Sequence, residues 1–191
     1  MTLSTPDSVS DRTPAKPDAL ARRTRLREFQ AQLLDRMQAA RTSATPHARQ
    51  LGVLIGQRHC LLNLQEAGEI ISVGAITKVP LTHDWFLGLT SVRGSLVSVI
   101  DLARFQGQGA TQVDRESRIV VFAPGLSFNS AILVSRVLGL RNLADMQQQD
   151  HAAEAVVPWA SRQFVDRDAQ VWTELDLSLI VQDAQFLHVG L

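Results

Sequence analysis

The sequence predicts a mostly β fold, a small barrel or sandwich, and three observations carry that expectation. From Leu51 onward, short runs of Val, Ile, Leu and Phe are broken by Gly, Pro, Asn and Asp. The breaks fall at intervals of roughly ten residues, the spacing of hairpin-connected strands rather than of βαβ units. Arg93-Gly94 reads as a turn followed by Ser95–Asp101, a run rich in β-branched residues. Finally, 45 % of the 191 residues are hydrophobic, enough for a core and incompatible with global disorder.

Met1–Pro17 holds three prolines and few large apolar side chains, so residues 1–17 are expected to form a disordered tail. Asp18 offers an N-cap, and the run from Ala19 to Thr42 is rich in helix formers. Leu26, Phe29, Leu33 and Met37 fall on one face of that helix, and Arg22, Arg23, Arg25, Arg27 and Arg36 lie mostly elsewhere. Residues 18–47 are therefore expected as a basic amphipathic helix with a short linker at Pro46. Its stripe either packs on its own domain or enters a partner's groove.

The body, residues 48–191, is read as strands near 51–56, 59–64, 69–73, 75–79, 95–102, 117–123, 129–135, 138–143, 162–167 and 170–174. Pro80 ends the fourth of these by fixing its own φ and forcing Val79 to be extended. Trp85, Phe86 and Leu87 form an apolar wedge that ends at Gly88. In the run after Gly94, Val97, Val99 and Asp101 take one face and Leu96, Ser98 and Ile100 the other, the pattern of a central, buried strand. Gly107–Asp114 and Asp145–Ala155 are expected as polar loops, and Leu175–Val181 as a short closing helix behind Asp176. Trp159 and Trp172 are assigned to the core.

Charge and chemistry exclude several function classes. Net charge is zero, with nine Lys/Arg against five Asp/Glu in residues 1–50 and ten against fourteen in 51–191, which gives no electrostatic case for nucleic acid or an anionic membrane. No run reaches the ~18 apolar residues of a membrane span. No apolar h-region marks a signal peptide. A cytoplasmic protein with no direct membrane insertion is expected. The single cysteine, Cys60, reads as a small core side chain. His47, His59, His83, His151 and His188 are scattered without metal-ligand spacing. Ser127, the best loop serine, lacks a nucleophile elbow. The sequence predicts no enzyme activity, no cofactor and no metal.

Arg93 stands out instead, as a fixed cation on a tight turn whose following Gly94 permits positive φ. It either pairs with Asp101 or Glu69 within the chain or grips a partner's carboxylate or carbonyl groups, for which its planar fork is suited. Trp85 and Phe86 are either core or a partly exposed interface anchor. Gly88 serves either turn geometry or contact.

Gly88, Val92-Arg93-Gly94, Leu96, Val97, Val99 and Ile100-Asp101-Leu102 together resemble the signature of CheW-type coupling domains. Gly56–Leu64, Gly68-Glu69-Ile70-Ile71, Ser117–Phe122, Ala131–Val134 and Val137–Leu140 continue the resemblance, which covers Leu51 to Leu187. Ser91 stands where the family usually has Asn, and Ser98 where it often has Pro. Trp85-Phe86-Leu87-Gly88 with Ser98 is more similar to the PilI type, which serves type IV pilus twitching systems. The resemblance implies two intertwined five-stranded SH3-like barrels with an N-terminal helix and a short C-terminal helix, both chain ends completing the first barrel. It implies an adaptor joining a CheA-like histidine kinase to a methyl-accepting chemoreceptor of PilJ-like kind, associated with inner-membrane arrays through those partners. Arg93 and Glu69 match family positions implicated in partner binding, Gly88 matches a family glycine near the kinase-contacting face, and Gly94 follows Arg93 in the turn. Two other readings stay open: a β-barrel module for a peptide or nucleic acid, and a ring built from copies of this domain. A receiver-bearing adaptor is disfavoured, because no chain remains to hold the receiver.

Overall fold

The computed structural model describes residues 49–149, 157–160 and 162–191; the expected tail and basic helix of residues 1–47 lie outside them. Eleven strands occur among the described residues. They are β1 (Arg49–Ile55), β2 (Arg58–Asn63), β3 (Ala67–Ser72), β4 (Phe86–Val92), β5 (Ser95–Ile100), β6 (Arg118–Phe122), β7 (Ser130–Val134), β8 (Arg136–Asn142), β9 (Gln147–Gln149), β10 (Arg162–Val165) and β11 (Val171–Leu175). Three short helices accompany them: α1 (Leu102–Phe105), α2 (Leu177–Ile180) and α3 (Ala184–Leu187).

The strands form two sheets, one of six in the order β8-β1-β2-β11-β10-β9 and one of five in the order β3-β6-β7-β5-β4. Each rolls into a small barrel. The edges of the first sheet, β8 and β9, belong to one run of chain bent at the 3₁₀ turn Leu143–Asp145. The second closes because the chain beyond β3 reaches β4, where Thr77 and Leu89 exchange backbone bonds of 2.8 and 2.9 Å and the Thr90 hydroxyl donates to the Ala75 carbonyl. The N-terminal β1–β2 and the C-terminal β8–β11 complete the first barrel together, as expected. Its sheet counts six segments because Gln147–Gln149, expected in a polar loop, pairs with β10.

Period-two alternation divides the apolar residues among three cores. Leu61, Phe164 and Trp172 fill the first barrel; Val97, Val99, Ile119 and Ala131 fill the second. The largest core lies between the sheets, where Leu51, Val53, Ile55, Cys60 and Leu62 meet Ile100, Val120, Phe122, Ile132 and Val134. Strands β2, β5, β6 and β7 bury both faces, which explains their near-continuous hydrophobic runs. Trp159, Trp172 and Cys60 lie in the cores as expected. Burial pushes the Cys60 thiol up to about 12, with Arg58 a smaller opposing influence.

Several expectations are corrected. Residues 75–79 make one bridge, Thr77 to Leu89, rather than a strand. Strand β4 was hidden in the sequence because its register shifts between Phe86 and Gly88, which breaks the alternation that marks a strand. Leu96 is 65 % exposed: it points to the face opposite Val97, the side on which only Ile100, farther along β5, reaches the core between the sheets. The strand expected to run to Leu102 stops at Ile100, where Asp101 becomes the N-cap of α1. α2 forms behind Asp176 as expected, and α3 follows a second cap, Asp183.

Asp101 also organises the loop that follows. Its carboxylate, 1 % exposed, accepts from the Thr111 amide at 2.8 Å and the Thr111 hydroxyl at 2.7 Å. The 107–114 loop is thus tied down at its centre. Asp101→Ala is expected to cost about 3 kcal/mol in urea unfolding, because it removes a cap and strands two donors. Asp101→Asn, which keeps an acceptor, should cost less than half of that.

Candidate partner-binding surface

The β4–β5 hairpin joins Val92 to Ser95 through a two-residue turn, Arg93-Gly94. Both central residues have positive φ, +51° at Arg93 and +86° at Gly94, the signature of a type I′ turn whose twist matches the strands. Gly94 adopts this freely; Arg93 does so at a cost of about 1 kcal/mol or more. Asn or Gly would adopt this conformation more easily than arginine.

That side chain pairs with Glu69 on β3, the other edge of the same sheet. Arg93 Nη2 donates to Glu69 Oε1 at 2.8 Å and Nε to the same oxygen at 3.2 Å. The pair lies across the mouth of the second barrel and links its two edge strands. The Arg93 and Glu69 side chains are 81 % and 36 % exposed, so water screens them and the pair adds about 0–1 kcal/mol to stability. Of the two intramolecular partners the sequence allowed for Arg93, Asp101 is occupied with Thr111. Exposed Leu96 lies on β5 just after the turn, and exposed Ile70 follows Glu69 on β3, pairing with Val120 and so pointing to the opposite face from Glu69.

The remaining candidates fall elsewhere. Gly88 is buried at the middle of β4 with φ +129°; a Cβ there would sit 2.1 Å from the Thr77 carbonyl oxygen, so its place in the fold is a steric one. Trp85 is 8 % exposed and lies beyond the opposite end of β4 from Arg93, ~26 Å away along an extended strand. Its ring stacks on His83 at 5.6 Å and Phe186 at 6.2 Å and meets Phe105 edge-on at 5.0 Å. Of the two readings of Trp85, core or partly exposed anchor, its burial fits the first: α3 brings Phe186 over it. Phe86 is half-buried against the inter-barrel core. The structure thus brings together Arg93, Gly94 and Glu69, and separates them from Gly88, Trp85 and Phe86.

Two clefts adjoin that aromatic cluster and neither includes Arg93 or Glu69. One, of about 800 Å³, is lined by Gln57, Arg58, Cys60, Phe105 and Trp159 among others. The second, of about 490 Å³, lies among His83, Trp85, Phe105 and His188. No group of three or more metal-ligating side chains occurs among the described residues, and no helix there is long and apolar enough to cross a membrane. Glu66, in the turn just before β3, is a further residue of this region that the sequence does not mark. Its half-buried carboxylate accepts from the Leu177 amide at 2.9 Å, and only its nearness to Glu69 could have marked it.

Comparison with known proteins covers most of the chain. The family model described as "CheW-like domain" matches residues 49–185. Protein FrzA of Myxococcus xanthus is 32% identical over 75 residues, spanning 39% of this chain and 46% of that protein. Protein PilI of Pseudomonas aeruginosa is 26% identical over 92 residues, 48% of this chain and 51% of that protein. The chain thus spans about half the length of these curated relatives. The crystal structure of scaffolding protein TtCheW from Thermoanaerobacter tengcongensis superposes with a TM-score of 0.60 at 17% identity, covering 72% of this chain and 90% of that one. At that identity the likeness speaks to the fold alone.

Proposed function

Because the chain belongs to the CheW-like domain family, we propose that it is a non-catalytic adaptor that couples a methyl-accepting chemoreceptor to a CheA-like histidine kinase. The observation that carries this reading is the exposed Arg93–Glu69 pair on the type I′ corner. A cation and an anion held side by side on an exposed corner suit docking onto a protein surface of complementary charge. Such a site binds and orients; it offers no group placed to move a proton or attack a substrate. Coupling would then be a difference in interaction free energy between signalling states, on the order of 1–3 kcal/mol.

Similarity to PilI and FrzA, with the Trp85-Phe86-Leu87-Gly88 run, supports a PilI-type role in twitching motility driven by type IV pili. The receptor would then be PilJ-like, and the adaptor would reach the inner membrane through its partners. Titration of the full chain by calorimetry, separately with the kinase's regulatory domain and with the receptor's cytoplasmic tip, tests the proposal. Binding to both supports it. Binding to neither, with single-stranded DNA or an unrelated peptide bound instead, overturns it.

A further inference from the structure

Glu69 faces the barrel mouth only because β3 carries one extra residue. Ala67 pairs with Phe122 and packs on the inter-barrel core, whereas Glu69 pairs with Val121 and turns toward the second barrel, with a register shift between Ala67 and Glu69. In a regular strand, residues two apart share a face. The bulge at Gly68 reverses that and sends Glu69 to the side where Arg93 waits. A Cβ on Gly68 would come 3.0 Å from Ala123 Cα and 3.1 Å from the Phe122 carbonyl oxygen, so the bulge is packed tightly against β6.

Glu66 holds the bulge from its N-terminal side. Its carbonyl accepts from the Ala123 amide at 2.7 Å, and its own amide donates to Asn63 at 3.0 Å. Its carboxylate reaches across to the Leu177 amide at the start of α2, 2.9 Å away and 111 residues distant in sequence. One residue thus joins the entry to β3, the end of β6 and the C-terminal helices. We propose that Glu66 is a positioning residue for the partner corner: through it the C-terminal helical segment holds the Gly68 bulge in register, and the bulge aims Glu69 at Arg93. This rests on reading the corner as a partner surface. Burial raises the Glu66 carboxyl above its ordinary range; the Leu177 amide opposes that, and Asp176 and Glu174 add to it.

The test uses the chain without any partner. In ¹⁵N-labelled protein, the Arg93 Nε–H resonance reports its bond to Glu69, and exchange of the Leu177 amide reports the Glu66 clasp. Glu66→Ala is expected to speed Leu177 exchange about tenfold or more and to move the Arg93 resonance to its position in Glu69→Ala. Glu66→Asp, one methylene too short to reach, should behave the same way if Glu66→Ala folds poorly. Glu66→Gln keeps an acceptor in place and should retain both wild-type signals. An Arg93 resonance unmoved in Glu66→Ala or Glu66→Asp while Leu177 exchange accelerates overturns the proposal, as does a Glu66→Gln variant that fails to rescue. Kinase binding measured on the same samples speaks to the adaptor reading alone, so the two failures are distinguishable.

Discussion

Arg93→Glu is expected to weaken binding to the histidine kinase's regulatory domain by about 30-fold or more, a hot-spot loss of at least ~2 kcal/mol. The reversal places a second carboxylate where a partner carboxylate would dock and sets it against Glu69, so a lost attraction and a new repulsion act together. Stability should hardly change. The guanidinium is 81 % exposed and its one ion pair is screened, so the urea midpoint is expected to shift by no more than about 1 kcal/mol in free energy. Calorimetric titration beside urea unfolding separates the two effects. A large loss of stability with affinity retained would show that the pair serves the fold and not the partner.

The largest effect on stability is expected from Gly88→Ala. The new methyl would lie 2.1 Å from the Thr77 carbonyl oxygen and 2.7 Å from its carbon, and neither atom can rotate away because both belong to backbone. Relief requires β4 to part from Thr77. That breaks the two bonds joining Thr77 to Leu89, each worth about 1 kcal/mol, while the positive φ of +129° adds about 1–3 kcal/mol of strain. A loss of about 4 kcal/mol, or failure to fold, is expected. Gly94→Ala is the control: φ is also positive there, at +86°, but nothing lies within 4 Å of the added carbon, so a cost near 1 kcal/mol is expected. Equal costs at the two glycines would contradict the steric account of Gly88.

Much of this fold was legible because period-two patterning and turn residues act locally. Arg93-Gly94 is a turn from chemistry alone, with the apolar run after it a strand, and Asp176 caps where a capping residue belongs. The parts that were not legible depend on contacts distant in sequence. β4 escaped notice because the bulge before Gly88 interrupts its alternation, at a point where Thr77 of another segment pairs with the strand. Gln147–Gln149 carries no strand propensity and is extended because β10 lies beside it. Among the site residues, a charge on a turn could be recognised, and Glu69 came from family resemblance. Whether Trp85 lay inside or outside could not be known before α3 was seen to lay Phe186 over it. Glu66 was invisible for the same reason, its partner Leu177 lying 111 residues away.

Co-sedimentation of the kinase with membranes or vesicles carrying the receptor, with and without this chain, tests the adaptor role most directly. The account predicts that the kinase pellets with receptor when the wild-type chain is added and stays in the supernatant without it or with Arg93→Glu. A kinase that pellets equally in all three samples, or a chain that pellets alone and never brings the kinase with it, would contradict the account.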